Sequence, residues 1–325
     1  MDICIASDDN YSSIMSVLIL SIFENNRGAE DVTVHVFEDR ISPGHKNTIQ
    51  AIATKYNRKI IFYDIKKHID SLRENINNDW ANRNSYVAYA RLYMPDMLPA
   101  SVEKFLYLDC DTLVCSSLIE LFNIDISEYI AGAVRDVLPS CYKASLDLDE
   151  YFNSGILLIN SKLWQSNGIT NDIFKYCNSH ADDHYPDQDA INVVLKDKIK
   201  ILPPKYCVFY PEYMATAKDQ IYWYGADATY YGEEELVDAM RNTAIIHYVD
   251  SILGRPWQKN NINPYTNIWM KYYELLDDSM KFVFKNKLLS TNQKIFRIIY
   301  KTLPFKVFVS LYYYRKNQGI RNILK

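Results

Sequence analysis

The chain has 325 residues, 48% of them hydrophobic and 23% charged, with only 9 Gly and 11 Pro. This suffices for one large α/β domain or two small ones, and excludes a disordered or collagen-like chain. The formal charge of −4 hides a split: residues 281–325 hold 11 Lys or Arg and no Asp or Glu, leaving 25 basic and 40 acidic side chains in residues 1–280.

In chain order, "DICIAS" reads as a short strand. "SSIMSVLILSIFENNRG" reads as a mostly buried helix, with Ser12 or Ser13 as its cap and Gly28 as its stop. "DVTVHVFED" alternates as a strand does. "SPGHKNTIQAIATKYN" predicts a helix with Pro43 in its first turn. "RKIIFYDI" is a third strand, and "SYVAYARLYMPDML" a helix closed by Pro95 or Pro99. The apolar run "KFLYLDCDTLVC" is a fourth strand. Later, "FNSGILLIN", "KIKILP", "CVFY" and "AIIHYV" are strand candidates; "DQDAINVVLKD" and "PYTNIWMKYYELL" are helical. Strand and helix alternate through the first half, which predicts a mostly parallel sheet covered on both faces. Ligands in such sheets sit beyond the carboxyl ends of the strands.

None of the six cysteines falls in a Cys-x-x-Cys pair, so a zinc site is not expected. The acidic start "MDICIAS" lacks the basic region of a secretory leader, and a reducing cytoplasm is the expected compartment. No window approaches the ~18 uninterrupted apolar residues of a spanning helix.

Asp109 and Asp111 interrupt the fourth strand where its apolar run ends. Residues two apart on a strand share a face, about 6.6 Å apart. Two carboxylates held together repel, and burial worsens this. A divalent cation with oxygen ligands, Mg²⁺ or Mn²⁺, relieves both costs. The same pair could instead cap the turn before "TLV". Two further Asp-x-Asp pairs occur, Asp147/Asp149 and Asp187/Asp189; the former reads as a solvated turn. At the end of the first strand, "ASDDN" lacks a dinucleotide-binding glycine pattern. It suits contacts to a base and ribose, or a helix cap. His247 ends "AIIHYV", either as a structural histidine or as a ligand beside the carboxylates.

Taken together, the blocks "ICIASDDNY", "YARLYMPDML", "KFLYLDCDTLV", "YFNSGILLIN", "DQDAINVVL" and "IIHYVDSILGRPW", in this order over about residues 2 to 257, resemble glycosyltransferase family 8. These are retaining enzymes of GT-A fold, with the bacterial lipooligosaccharide galactosyl- and glucosyltransferases as the nearest likeness. The resemblance implies a mixed, mostly parallel sheet and transfer of a hexose from a UDP-sugar to a glycan or glycolipid hydroxyl. It implies that Ala6, Asp8, Asp9 and Asn10 hold the uridine, and that Arg91 contacts the diphosphate sugar. Asp109, Asp111 and His247 would ligate Mn²⁺ or Mg²⁺. Asn153, Asp187 and Gln188 would surround the donor sugar as the catalytic group, with Gln188 opposite the leaving group. Asn153 and Gly155 also suit a turn, Asp187 a helix cap and Arg91 a buried ion pair.

Two departures stand out. The family places Gly three residues after the histidine and Lys before Pro-Trp; here these are Asp250 and Arg255, in a longer segment. Arg83 falls in a region that meets the acceptor in relatives. Two rival readings are a haloacid-dehalogenase-type phosphatase, with Asp109 as nucleophile and Asp111 as acid, and a non-catalytic nucleotide-sugar- or glycan-binding subunit. Against the former, more than 100 residues precede the motif.

The expected division is a transferase domain over residues 1–280 and a basic, aromatic-rich helical tail over 281–325. In "NQKIFRIIYKTL" apolar residues recur at helical spacing beside Lys294, Arg297 and Lys301. That pattern fits an anionic membrane surface, placing the protein at the inner face of the cell membrane. A helix packed on the acidic body fits it as well. Nucleic acid is not an expected partner, since no recognition motif accompanies the charge.

Overall fold

The computed structural model describes residues 1–75, 86–136, 140–180, 186–209, 230–308, 310–312 and 314–315. Seven strands form the main sheet in the order β3-β2-β1-β4-β7-β6-β8. They are β1 Asp2–Asp8, β2 Thr33–Asp39, β3 Lys59–Asp64, β4 Lys104–Leu108, β6 Ala131–Arg135, β7 Phe152–Asn160 and β8 Ile199–Ile201. Within this sheet the described pairings are parallel except those of β7 with β4 and β6. A smaller sheet, β5-β10-β9, joins β5 Thr112–Val114, β10 Ile245–His247 and β9 Val208–Phe209.

Apolar layers on both faces explain the unbroken apolar runs of the central strands. Successive side chains of a strand point to opposite faces. Accordingly Ile3, Ile5, Leu106, Leu108, Ile156 and Leu158 enter one core, while Cys4, Phe105, Tyr107, Leu157 and Ile159 enter the other. Helix α1, Ser12–Asn25, is apolar nearly all round and lies buried in the first core, as such a composition requires. Helix α2, Pro43–Lys55, has Pro43 in its first turn as its sequence predicts, and the Ser42 side chain caps it.

Five local expectations change. The run from Lys104 to Cys115, expected as one strand, is β4 and β5 in different sheets, and β6 is not among the expected strands. Neither Ser12 nor Ser13 caps α1; a 3-10 turn, Asp9–Tyr11, leads into it, and the Asp8 side chain accepts from the Tyr11 N–H. The segment expected as one helix from residue 85 is a 3-10 helix, Tyr86–Leu92, followed by a single α turn, Met94–Met97, with Pro95 at its start. Asn153 and Gly155 form no turn; they lie inside β7. Arg83 lies outside the described residues.

The chain passes into the tail through aromatic packing. Phe282 and Phe284 contact Tyr273, and Phe284 also Trp269. The helix Thr291–Thr302 then opens with a capping box built on Ser290 and Gln293. Among the described residues no helix is long and apolar enough to cross a membrane.

Candidate active site

The sheet reverses its winding between β1 and β4: β2 and β3 lie on one side of β1, β4 on the other. Crevices at such switch points, beyond the carboxyl strand ends, are the standard ligand sites of open α/β sheets. Here one sheet edge collects the ends of β1, β4 and β6 and, because β7 runs antiparallel, the start of β7. Asp8–Asn10, Asp109–Asp111, Asp136 and Asn153–Gly155 therefore share that edge. The Cys110 thiol donates to the Ala6 carbonyl at 3.0 Å, tying the first two loops together.

Asp109 and Asp111 lie where the chain leaves the main sheet for the smaller one. Asp109 N–H donates to the Gly155 carbonyl at 2.8 Å, and the Asp109 carbonyl accepts from Thr112 N at 3.0 Å and Oγ1 at 2.7 Å. In the smaller sheet β10 runs antiparallel to β5, pairing His247 with Thr112. This brings the imidazole to the carboxylates across 136 residues of sequence. His247 Nε2 lies 3.2 Å from Asp111 Oδ1 and 3.9 Å from Asp109 Oδ2. One ligand atom from each residue lies within 4.8 Å of the others, a spacing that could hold a cation. The cradle depends on Gly155: a Cβ there would lie 2.4 Å from His247 Cε1 and 2.7 Å from Asp109 Oδ2. Two carboxylates and one imidazole suit Mn²⁺ or Mg²⁺ far better than a soft metal.

Two arginines flank the cluster. Arg91 is buried and stacks 4.8 Å over the Tyr107 ring. It reaches Asp109 Oδ1 at 3.1 Å and Asp187 Oδ2 at 3.5 Å, and donates to the Ser154 carbonyl at 2.6 Å. Burial opposes its charge, but Asp109 and the other anionic neighbours outweigh it and raise its pKa. Asp187 moves upward because burial outweighs Arg91. Arg255 donates to Asp111 Oδ2 at 2.6 Å, to the Tyr11 hydroxyl at 2.9 Å and to the Tyr248 carbonyl at 3.1 Å. Burial pushes Asp111 up, yet Arg255 and His247 prevail and hold it at about 2. Burial likewise disfavours a charged His247, but Asp111 raises it above its ordinary value.

Beside this cluster, Gln188 is held at both ends. Its oxygen accepts from Ser154 N at 3.0 Å, and its amide donates to Asp136 Oδ2 at 3.1 Å and Tyr151 Oη at 3.2 Å. Asn153 donates to the same Asp136 oxygen at 3.1 Å. Gln188 and Asp187 both lie in the first turn of the helix Pro186–Val194.

The structure thus gathers Arg91, Asp109, Asp111, Asn153, Asp187, Gln188, His247 and Arg255 around one edge. At the β1 end, Asp8 is used as the cap described above. Asp9 accepts from Ser42 N at 2.8 Å and meets His45 Nδ1 at 2.7 Å, while Asn10 is exposed. Of the other Asp-x-Asp residues, Asp147 is an exposed turn residue at positive φ, paired with Lys196. Asp189 is buried and accepts from Tyr142 and Tyr151. Tyr11, Tyr107, Ser154 and Cys207 escaped the sequence reading. Cys207 Sγ lies 3.6 Å from Asn153 Oδ1 and 3.8 Å from His247 Nδ1. Each sits in an ordinary apolar or polar run, and nothing local marks it.

The sequence model of glycosyl transferase family 8 matches residues 2–261. The chain belongs to glycosyltransferase family 8. Similar family proteins include General stress protein A of Bacillus subtilis, 26% identical over 282 residues covering 84% of this chain and 92% of that one. A lipopolysaccharide 1,2-glucosyltransferase of Escherichia coli K12 is 28% identical over 283 residues, 85% of this chain and 77% of its own. Superposition on the galactosyltransferase LgtC, solved with donor and acceptor sugar analogs, gives a TM-score of 0.70 at 22% identity, covering 90% of this chain and 99% of that one. The fold is therefore GT-A, and the protein is a glycosyltransferase. Family membership removes the phosphatase reading.

Proposed function

We propose that this glycosyltransferase is a metal-dependent, retaining hexosyltransferase that moves glucose or galactose from a UDP-sugar to a hydroxyl of a cell-surface glycan or lipid-linked acceptor, forming an α linkage. The convergence of Asp109, Asp111 and His247 on the space left by Gly155 carries this reading. The family, and relatives that include a lipopolysaccharide glucosyltransferase, support it.

Those three side chains would hold Mn²⁺ or Mg²⁺, which when bound supplies positive charge beside the donor diphosphate. The uridine is read along the end of β1 by Ala6, Asp8, Asp9 and Asn10. Arg91 and Arg255 then lie on either side of the carboxylate pair. As the bond from anomeric carbon to phosphate oxygen breaks, negative charge grows on UDP and Arg255 stabilises it. A fixed guanidinium aimed where charge develops lowers the barrier most effectively. The sugar passes through an oxocarbenium-like state. Asn153, Asp187 and Gln188 surround it, and the neutral Gln188 amide occupies the face opposite the leaving group. The acceptor oxygen bonds to the anomeric carbon on the departing side, and its proton passes to the leaving phosphate oxygen. A covalent route would instead recruit Asp136 or Asp187. Asp187 is buried against Arg91, and Asp136 already accepts from Gln188 and Asn153. Same-face attack needs neither carboxylate as nucleophile.

The tail supports peripheral attachment to the cytoplasmic leaflet. One face of the helix Thr291–Thr302 buries Phe296 and Arg297. The other leaves Ile295 and Ile298 exposed, and Leu303, Val307, Leu311 and Tyr314 are further exposed apolar residues of the tail. With Lys294, Lys301 and Lys306 in the same segment, this composition suits anionic lipid.

The test is a screen of UDP-glucose, UDP-galactose and their N-acetyl forms with Mn²⁺, read as donor hydrolysis and transfer. Asp109→Ala and Asp111→Ala should lose metal-dependent turnover while remaining folded. Full activity of either variant in EDTA would end the metal reading.

A further inference from the structure

The segment Asp250 to Arg255, noted above as a departure from the family pattern, is gripped by the tail. Lys287 forms an ion pair with Asp250, the residue standing where the family has glycine. Gln258 and Lys285 form a parallel β-bridge, and Lys259 N donates to the Lys285 carbonyl at 3.0 Å. The Asn260 side chain binds Lys287 twice, donating to its carbonyl at 2.9 Å and accepting from its N–H at 2.8 Å. Ile252 and Leu253 pack in one apolar cluster with Phe296 and Phe308.

At the centre of this strap is Arg297. It is buried on the inward face of the tail helix. Its Nε donates to the Ile252 carbonyl, and its terminal Nη1 to the Asn260 carbonyl at 2.5 Å. Residues 252 and 260 bracket Arg255, so one planar guanidinium clamps both sides of the loop that carries it. Between them, Gly254 sits at φ +81°, and a Cβ there would lie 3.1 Å from Arg297 Nη2. The positive φ favours glycine here, and a Cβ would also crowd Gln258 Oε1 at 2.8 Å. The two bonded carbonyls accept from a rigid fork that a lysine cannot imitate.

We propose that Arg297 is a positioning residue for Arg255: by clamping the Ile252 and Asn260 carbonyls it fixes the loop that presents Arg255 to the donor diphosphate, and so makes the tail part of the donor site. The proposal rests on the reading of Arg255 as the cation facing the diphosphate. It also places the residue that sets the site beyond residue 261, where the family match ends. Donor binding and docking of the tail on the body then become one linked equilibrium.

The experiment is a double-mutant cycle on the full chain, with UDP plus Mn²⁺ as the probe and affinity read by calorimetry. Arg255→Met should weaken UDP binding, Arg297→Met should weaken it by about tenfold, and the double variant should bind no worse than Arg255→Met alone. Loss with Arg255→Met but wild-type affinity with Arg297→Met overturns the positioning role and leaves the phosphate reading standing. Strictly additive losses overturn it as well, since Arg297 then acts independently of Arg255. No loss with Arg255→Met removes the phosphate reading itself. If Arg297→Met melts below the assay temperature, Arg297→Lys keeps the buried charge and loses the fork to the two carbonyls. Wild-type affinity in that variant likewise counts against the proposal.

Discussion

Replacing Gly155 by Ala tests the cradle at its tightest point. Gly155 lies inside β7 and outside the positive-φ region, so the backbone accepts alanine. The conflict is confined to side chains: the new methyl would lie 2.4 Å from His247 Cε1, 2.7 Å from Asp109 Oδ2 and 3.1 Å from Asn153 Oδ1. Restoring ordinary contact of ~3.5 Å requires the imidazole to retreat by about 1 Å. It has little room, since His247 is buried, with Phe209 against it. Asp109 is tethered by Tyr107 and Arg91. Overpacking should cost about 1–3 kcal/mol of stability, partly offset by about 0.4–1 kcal/mol from a stiffer unfolded chain. The functional loss should be far larger, because a misplacement of about 1 Å at a reacting centre lowers rates roughly 100-fold. The expected signature is near-native melting, weakened Mn²⁺-dependent UDP binding and a roughly 100-fold fall in donor hydrolysis. Gly132→Ala is the control: its Cβ would meet the Leu202 side chain at 3.0 Å, so it should affect stability and leave turnover alone. Gly155→Ala with turnover within about threefold of wild type would refute the reasoning.

Three further outcomes follow from the same geometry. His247 is raised by Asp111, so the stability it adds is fully present below its unfolded pKa and fades as pH rises through the folded value. Metal must displace its proton, so Mn²⁺ affinity measured with UDP should rise from pH 6 to 8 with release of ~1 proton; calorimetry in two buffers of different ionisation enthalpy that shows no release would contradict this. Asp111 is lowered from 3.8 to about 2, which contributes on the order of 2 kcal/mol above ~pH 4 that is lost as pH falls through the folded value. Arg255→Met should therefore shift acid unfolding, followed by circular dichroism, to higher pH; an unmoved midpoint would rule out the pairing. On the tail, Ile298 is 62% exposed, so Ile298→Asp together with Lys301→Glu should lower binding to phosphatidylglycerol vesicles at least fivefold with melting unchanged. Equal partitioning would dismiss the membrane surface.

Local sequence determined a good deal here. Apolar runs, alternating in β2, pointed to most of the strands, though not to β6. The helices Pro43–Lys55, with its early proline, and Thr291–Thr302, with its apolar spacing, were equally legible. The order of motif blocks gave the family, and the end of an apolar strand pointed to Asp109 and Asp111. Tertiary structure decided which groups meet. His247 reaches Asp111 only because β10 pairs with β5. Gly155 proves to be the gap that admits imidazole and carboxylate, where its sequence suggested a turn. The 3-10 winding of Tyr86–Leu92 accompanies Arg91 buried between Asp109 and Asp187. Arg297 looked like one more basic residue of an amphipathic tail, yet it faces inward onto two loop carbonyls. Periodicity records which face of its own element a residue occupies. What that face lies against is fixed by contacts between residues tens to hundreds of positions apart, which no local pattern carries.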